Sequence, residues 1–326
     1  MSDAAGGPEN HPSVDAPGLG KKTKKHPPSR ADFEATVADI EAQVRATNDK
    51  INARSGRNLI SAILIGLALG GSLLVSLVFV KELFMVFGAV LLIFTSFELA
   101  SALRFAGRDV PRVPTVVAAI AIVPASFYGL ATGHWYATLG GIVLVSLWRL
   151  AEMISPKFRV PAVEFWKDIA AGAFVQSYVV FLGAFTVLLT AQPGGQWWTL
   201  ASLIVVVSVD VGAYASGINF GKHLMAPLIS PKKTWEGFAG SAAAARVAGV
   251  LLAIFMLQQP WWVGLILGSV MVFTATMGDL AESLIKRDLG IKDISTWLPG
   301  HGGFLDRLDS ILPSAVAAYA LYLIFV

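Results

Sequence analysis

Two short stretches hold most of the side chains that could do chemistry. The first, Gly278 to Ser310, contains Asp279, Glu282, Asp288, Asp293, Asp306 and Asp309 together with Lys286, Arg287, Lys292, His301 and Arg307. A plain connection between two apolar runs needs a few polar residues, not a dense mixture of both signs. Asp279 and Glu282 are three apart at the end of one run, and Asp306 and Asp309 three apart at the start of the next. On a helix that spacing puts both members of a pair on one face. Two such pairs brought together would supply oxygen ligands to a hard cation, magnesium or manganese. Asp279 and Asp306 are then the first ligands; Glu282 and Asp309 are either further ligands or partners of Lys286 and Arg307. The interleaved cations suit phosphate groups. His301, in Gly-His-Gly-Gly, is either a turn residue or a group that flexible backbone brings to a ligand.

The second stretch runs from Asp210 to Gly237. Asp210 lies in an apolar run, where an ionisable group is costly and usually functional. Gly217 and Gly221-Lys222 do not make a P-loop: the spacing is wrong and His223 stands where Ser or Thr is needed. Ser230-Pro231-Lys232-Lys233-Thr234 offers two ammonium groups and two hydroxyls on a rigid turn, which suits a triphosphate.

These stretches need elements to position them, and composition says which. Of 326 residues, 55% are hydrophobic and 14% charged, against roughly 25% charged in a soluble domain. There is no cysteine, which excludes disulfides, cysteine-ligated zinc and a thiol nucleophile. The net charge of +3 does not mark a nucleic-acid binder. Apolar runs near the roughly 20 residues of a membrane helix fall at about 58–80, 83–105, 115–133, 135–151, 169–191, 197–217, 238–258, 260–282 and 310–326. The expected fold is all-α: a polytopic membrane protein of about nine transmembrane helices. With the N-terminus in the cytoplasm, every Lys and Arg except Lys81 and Arg246 precedes the first span or falls in a cytoplasmic loop, as the positive-inside rule requires. The active site is then cytoplasmic. The outer loops carry Trp135, Tyr136, Trp197, Trp198, Trp261 and Trp262, which read as interface anchors.

Three regions are expected: a disordered cytoplasmic tail over 1–30, a helix over 31–57 and the transmembrane domain over 58–326. The helix carries Phe33, Val37, Ile40, Val44 and Ile51 on one stripe and is either a short coiled coil or a membrane-surface helix. No signal peptide is evident. Within the spans, Glu98 stands within reach of Arg104, and Arg246 suits a carboxylate or a lipid phosphate. Gly and Ala runs in spans one, five and seven read as close helix packing. Arg149, Lys157, Arg159 and Lys167 read as topology signals rather than lipid ligands.

Ser283-Leu284-Ile285-Lys286-Arg287, then after four residues Lys292-Asp293, then Leu298-Pro299-Gly300-His301-Gly302-Gly303-Phe304-Leu305-Asp306-Arg307-Leu308-Asp309 resembles the signature of the phosphatidate cytidylyltransferases (CDP-diacylglycerol synthases). The segment from Asp210 to Glu236-Gly237 is similar to that family as well. The resemblance implies a multi-helix membrane fold, CTP and phosphatidate as substrates, dependence on magnesium and often a homodimer, in the cell membrane among its lipids. It also implies roles. Asp279, Lys286, Arg287, Lys292, Asp293, His301, Asp306, Arg307 and Asp309 would be catalytic. Asp210, Lys222, Ser230, Pro231, Lys232, Lys233, Thr234, Glu236 and Gly237 would bind the nucleotide. A cytidylyltransferase or kinase for another lipid is the nearest alternative. A transporter fits the composition, but it should show internal repeats and broken helices near the midplane; no repeat is evident and the charges gather at one face.

Overall fold

A segment in lipid must satisfy its backbone amides internally, and helices do so. The computed structural model describes residues 59–295, 297 and 302–326; the expected tail, the helix over 31–57 and His301 lie outside them. The helices are α1 (Leu59–Val78), α2 (Lys81–Phe105), α3 (Arg112–Glu152), α4 (Ala162–Val175), α5 (Leu182–Ala191), α6 (Gly195–Phe220), α7 (Trp235–Phe255), α8 (Trp261–Asp288), the short α9 (Leu305–Leu308) and α10 (Ile311–Phe325). A π-helical stretch, Gln176–Phe181, joins α4 to α5. Among the described residues the paired strands form a small antiparallel hairpin, β1 (Leu224–Ala226) with β2 (Ser230–Thr234), pairing Leu224 with Thr234 and Ala226 with Ser230. Sequence reasoning took this segment for a turn. A two-stranded ribbon has only edges, so Pro231 costs no ladder bond that a central strand would need.

Among the described residues, seven helices are long and apolar enough to cross a membrane, α4–α5 and α9–α10 each counting once. The chain is an all-α polytopic membrane protein but for the hairpin. The expected runs over 115–133 and 135–151 both fall in α3, whose 41 residues would stretch roughly 60 Å if straight, twice the hydrocarbon thickness. It is not straight. Leu130 has φ 51° and ψ −144°, and the chain folds back there. Ser126 Oγ lies 2.9 Å from His134 Nδ1, and a Cβ on Gly141 would sit 3.0 Å from the Ala118 methyl. A continuous helix would hold either pair at least about 12 Å apart. The first expected run falls on α1, of which Gly66–Val78 counts as a shorter apolar helix.

Glycine lets α6, α7 and α8 pack backbone to backbone. A Cβ on Gly212 would lie 2.8 Å from the Gly240 carbonyl oxygen, one on Gly249 2.3 Å from that of Gly264, and one on Gly268 2.6 Å from that of Ala245. The expectation of close packing fails in span one, where Gly70 and Gly71 have nothing within 4 Å of a Cβ position. One apolar core gathers α2, the first leg of α3, the π-helical stretch and α5. A second gathers α6, α8 and α10.

Contacts sort the connections into two ends. Lys81 Nζ donates to the Gln192 carbonyl at 3.0 Å, Tyr322 Oη donates to that of Pro193 at 2.8 Å, and Trp262 meets Phe325 edge to face. The opposite end gathers the loops rich in Lys and Arg. There Arg149, expected as a topology signal, is 1% exposed. Its Nε and Nη2 donate to Asp168 Oδ2 at 3.1 and 2.8 Å, and the Asp109 amide donates to Asp168 Oδ1 at 2.9 Å. A buried guanidinium is tolerated when a carboxylate meets it with more than one hydrogen bond. This cluster locks α3, α4 and the loop after α2 together.

Candidate active site

At the cationic end lies a cavity of about 520 Å³. Its walls are the C-terminal half of α6, the hairpin, the first turns of α7, the last turns of α8, and α9. The hairpin is held by the start of α7. Thr234 caps that helix, its Oγ1 accepting from the Gly237 amide at 3.1 Å. Glu236 accepts from the amides of Lys222 and His223 at 3.1 and 3.2 Å, and its Oε1 lies 2.5 Å from His223 Nδ1. Glu236 therefore ties the hairpin base to α7 rather than facing the cavity. Lys222 and Pro231 are exposed and also stand outside the lining, whereas Asp210, Ser230, Lys232, Lys233, Thr234 and Gly237 belong to it.

The acid-rich stretch supplies the facing wall with Asp279, Glu282, Lys286, Asp293, Asp306, Arg307 and Asp309. Lys233 Nζ meets Asp279 Oδ2 at 2.6 Å, so a salt bridge joins the two predicted stretches. Lys286 Nζ meets Glu282 Oε2 at 2.5 Å and Asp306 Oδ1 at 2.9 Å. The Gly303 amide also donates to Asp306, at 2.8 Å. A Cβ on Gly278 would lie 2.2 Å from the Asp309 carbonyl oxygen, and that contact presses the end of α9 onto α8. Arg287 stands outside the cavity, its Nε 3.4 Å from the Ile229 carbonyl oxygen on the hairpin turn; Lys292 is exposed and outside it as well.

For a metal, the four expected ligands separate. Glu282 is 1% exposed and shares the Lys286 ammonium with Asp306. Asp210, Asp279 and Asp309 face the same cavity and stand near enough to repel one another. Their oxygens suit a hard dication in kind. Among the described residues, no three acidic or His side chains are close enough to enclose an ion as they stand. The carboxylates are gathered on one cavity, but Asp279 is taken by Lys233.

Glu98 was missed as a site residue. It is 2% exposed and makes no pair with Arg104, which instead meets Asp109 at 2.9 Å. Glu98 accepts from the amides of Phe304 at 3.2 Å and Leu305 at 2.8 Å, and from Ser295 Oγ. A Cβ on Gly303 would lie 2.6 Å from Glu98 Oε1, so only glycine lets the carboxylate reach the loop. Phe94 stacks on Phe304, and Phe97 on Trp297. A carboxylate in α2 therefore pins the segment that carries Asp306, Arg307 and Asp309. Its intramembrane position was the signal; its partners, 206 and 207 residues away, were not readable. Among the described residues Arg246 meets no carboxylate, its Nε donating to Ser269 Oγ at 3.1 Å.

Residues 60–325 match the cytidylyltransferase family. The chain is 39% identical over 274 residues to the phosphatidate cytidylyltransferase of Mycobacterium bovis, covering 82% of this chain and 89% of that one. To the phosphatidate cytidylyltransferase of Mycobacterium leprae it is 37% identical over 297 residues, covering 89% and 95%. The protein of that name from Brucella suis is 37% identical over 156 residues, 48% of this chain and 57% of that one.

Proposed function

Because the chain belongs to the cytidylyltransferase family, we propose that it transfers the cytidylyl group of CTP to phosphatidate, giving CDP-diacylglycerol and pyrophosphate. One observation carries the reading: a single cavity is lined by Lys232 and Lys233 of the hairpin, Asp210 of α6, Asp279 of α8 and Arg307 of α9. Cations for a triphosphate, carboxylates for a dication and an Arg for a second phosphate thus meet at one place.

A phosphatidate oxygen attacks the α-phosphorus of CTP. The new P–O bond forms as the bond from that phosphorus to the bridging oxygen breaks, and pyrophosphate leaves. The nucleophile is already anionic at neutral pH, so the protein needs no strong base; its part is positioning and charge neutralisation. Lys232 and Lys233, with the hydroxyls of Ser230 and Thr234, hold the triphosphate. Lys233 turns from Asp279 to do so, which frees the carboxylate. Arg307 receives the lipid phosphate, while Lys286 and Glu98 keep the loop around α9 in place. Asp279 and Asp309, with Asp210 beside them, would hold magnesium or manganese, which when bound neutralises the phosphoryl oxygens and the departing pyrophosphate.

The cavity faces the cytoplasm at the cell membrane in this reading, with the N-terminus on the same side. The gathering of Lys and Arg at one end supports that orientation. The homodimer is carried by the family resemblance and is checked by the mass of the purified protein in detergent. For the reaction, purified protein is given labelled CTP and phosphatidate. CDP-diacylglycerol and pyrophosphate in equal amounts are expected. A phosphorylated lipid with released CDP would make the protein a lipid kinase; reaction only with another lipid phosphate would change the acceptor.

A further inference from the structure

A second cavity of about 190 Å³ adjoins the first. Its walls are almost wholly hydrocarbon, drawn from α1, α2, α5, α6 and α10, with Leu69, Leu73, Phe84, Leu91 and Leu203 among them. Among the described residues Arg307 is the only charged one in its lining, and it lines the first cavity too. The polar site and the apolar groove therefore meet at one arginine.

We propose that this groove seats one acyl chain of the lipid substrate, with Arg307 at the junction holding that lipid's phosphate. The proposal rests on the reading above that the acceptor is a lipid phosphate. An amphipathic substrate whose phosphate reacts in the first cavity must direct its chains away from it, and the adjoining dry space begins at the residue that meets the phosphate. Shape supports the same occupant. A Cβ on Gly88 would lie 2.9 Å from Val187, and one on Gly183 2.5 Å from Leu92, so those glycines serve packing between helices. Gly70 also lines the groove, yet a Cβ there would meet nothing within 4 Å. The volume absent at Gly70 is groove volume. A lipid chain in the bilayer is already in hydrocarbon, so moving it into the groove gains little affinity from burial. What the groove contributes is orientation: it fixes where the phosphate stands relative to CTP.

Gly70→Phe tests this, because a Cβ at this lining position meets nothing within 4 Å and the ring that follows it takes up space a chain would use. Turnover is measured on dioleoyl phosphatidate and on dihexanoyl phosphatidate, whose chains are too short to fill the groove. The expected result is a loss of about ten-fold or more in kcat/KM for the long-chain lipid, the scale of a misplaced substrate, with the short-chain lipid and the KM for CTP unchanged. Equal losses on both lipids, or none on either, overturn the groove. A second measurement uses the unaltered protein and phosphatidate carrying a diazirine near one chain end, with excess unlabelled phosphatidate as competitor. Competed adducts on Leu69, Leu73 or Phe84 support the proposal, and competed adducts confined to other faces overturn it. Groove adducts in a protein that makes no CDP-diacylglycerol would sink the activity and keep the groove; full activity with adducts elsewhere would sink the groove alone.

Discussion

Lys233, proposed above to hold the triphosphate, is bridged to Asp279 at 2.6 Å, so removing either partner should have a distinct effect. Lys233→Ala should raise the KM for CTP and lower kcat/KM by roughly ten- to a hundredfold, the worth of a charged hydrogen bond at about 1.5–3 kcal/mol. Unchanged CTP kinetics in both Lys232→Ala and Lys233→Ala would give the hairpin a structural role. Asp279→Asn keeps the shape and removes the charge. It should abolish turnover in a folded protein, and a magnesium titration that matched the parent would remove Asp279 from the metal. Glu98→Gln offers one acceptor oxygen where two carboxylate oxygens now serve Phe304, Leu305 and Ser295. Turnover should fall while the KM for CTP holds, and amide exchange should quicken at Phe304 and Leu305; unchanged exchange would show that the carboxylate does not hold the loop. The polar side chains of the cavity were legible because the chain clusters them in two stretches. Glu98 was legible only as an anomaly: its partners are backbone amides, and no residue type announces an amide.

At the scale of elements, the three-helix layer of α6, α7 and α8 depends on absent side chains. Gly249→Val should destabilise by about 1–3 kcal/mol or more, as overpacking does, because a Cβ would fall 2.3 Å from the Gly264 carbonyl oxygen. Gly71→Val, in open space, should leave thermal unfolding in detergent unchanged. Equal effects from the two would mean that α7 and α8 do not touch as described. Runs of apolar residues located the helices, since length and hydropathy are local properties. The hairpin escaped because β2 is five residues of Ser, Pro, Lys and Thr with no apolar alternation; pairing with β1 and the Glu236 clasp create it. The ion pair of Arg149 with Asp168 escaped for a similar reason, as each residue alone looks like a solvated loop charge.

For the whole molecule, the sorting of connections into two ends makes a topology prediction. The chain contains no cysteine, so single thiols can be placed at will. In sealed cells, Lys292→Cys should resist an impermeant maleimide until the membrane is opened, and a thiol introduced at Gln192 should react at once. The reverse pattern would invert the protein. The family match begins at residue 60, so removal of residues 1–30 should leave specific activity within a few-fold; complete loss in a folded protein would give that segment a part in the reaction.

The reversal of α3 at Leu130 also bears on how the chain enters the bilayer during synthesis. A single-residue turn leaves no hydrophilic stretch for an insertion channel to export between the two legs. The 41 residues are then expected to enter lipid as a pair of legs, because a lone leg would leave the His134 imidazole without the Ser126 hydroxyl that meets it near the turn. Biogenesis thus treats two crossings as one event, and a lengthened polar turn at Leu130 should let the ribosome-bound intermediate pause between them.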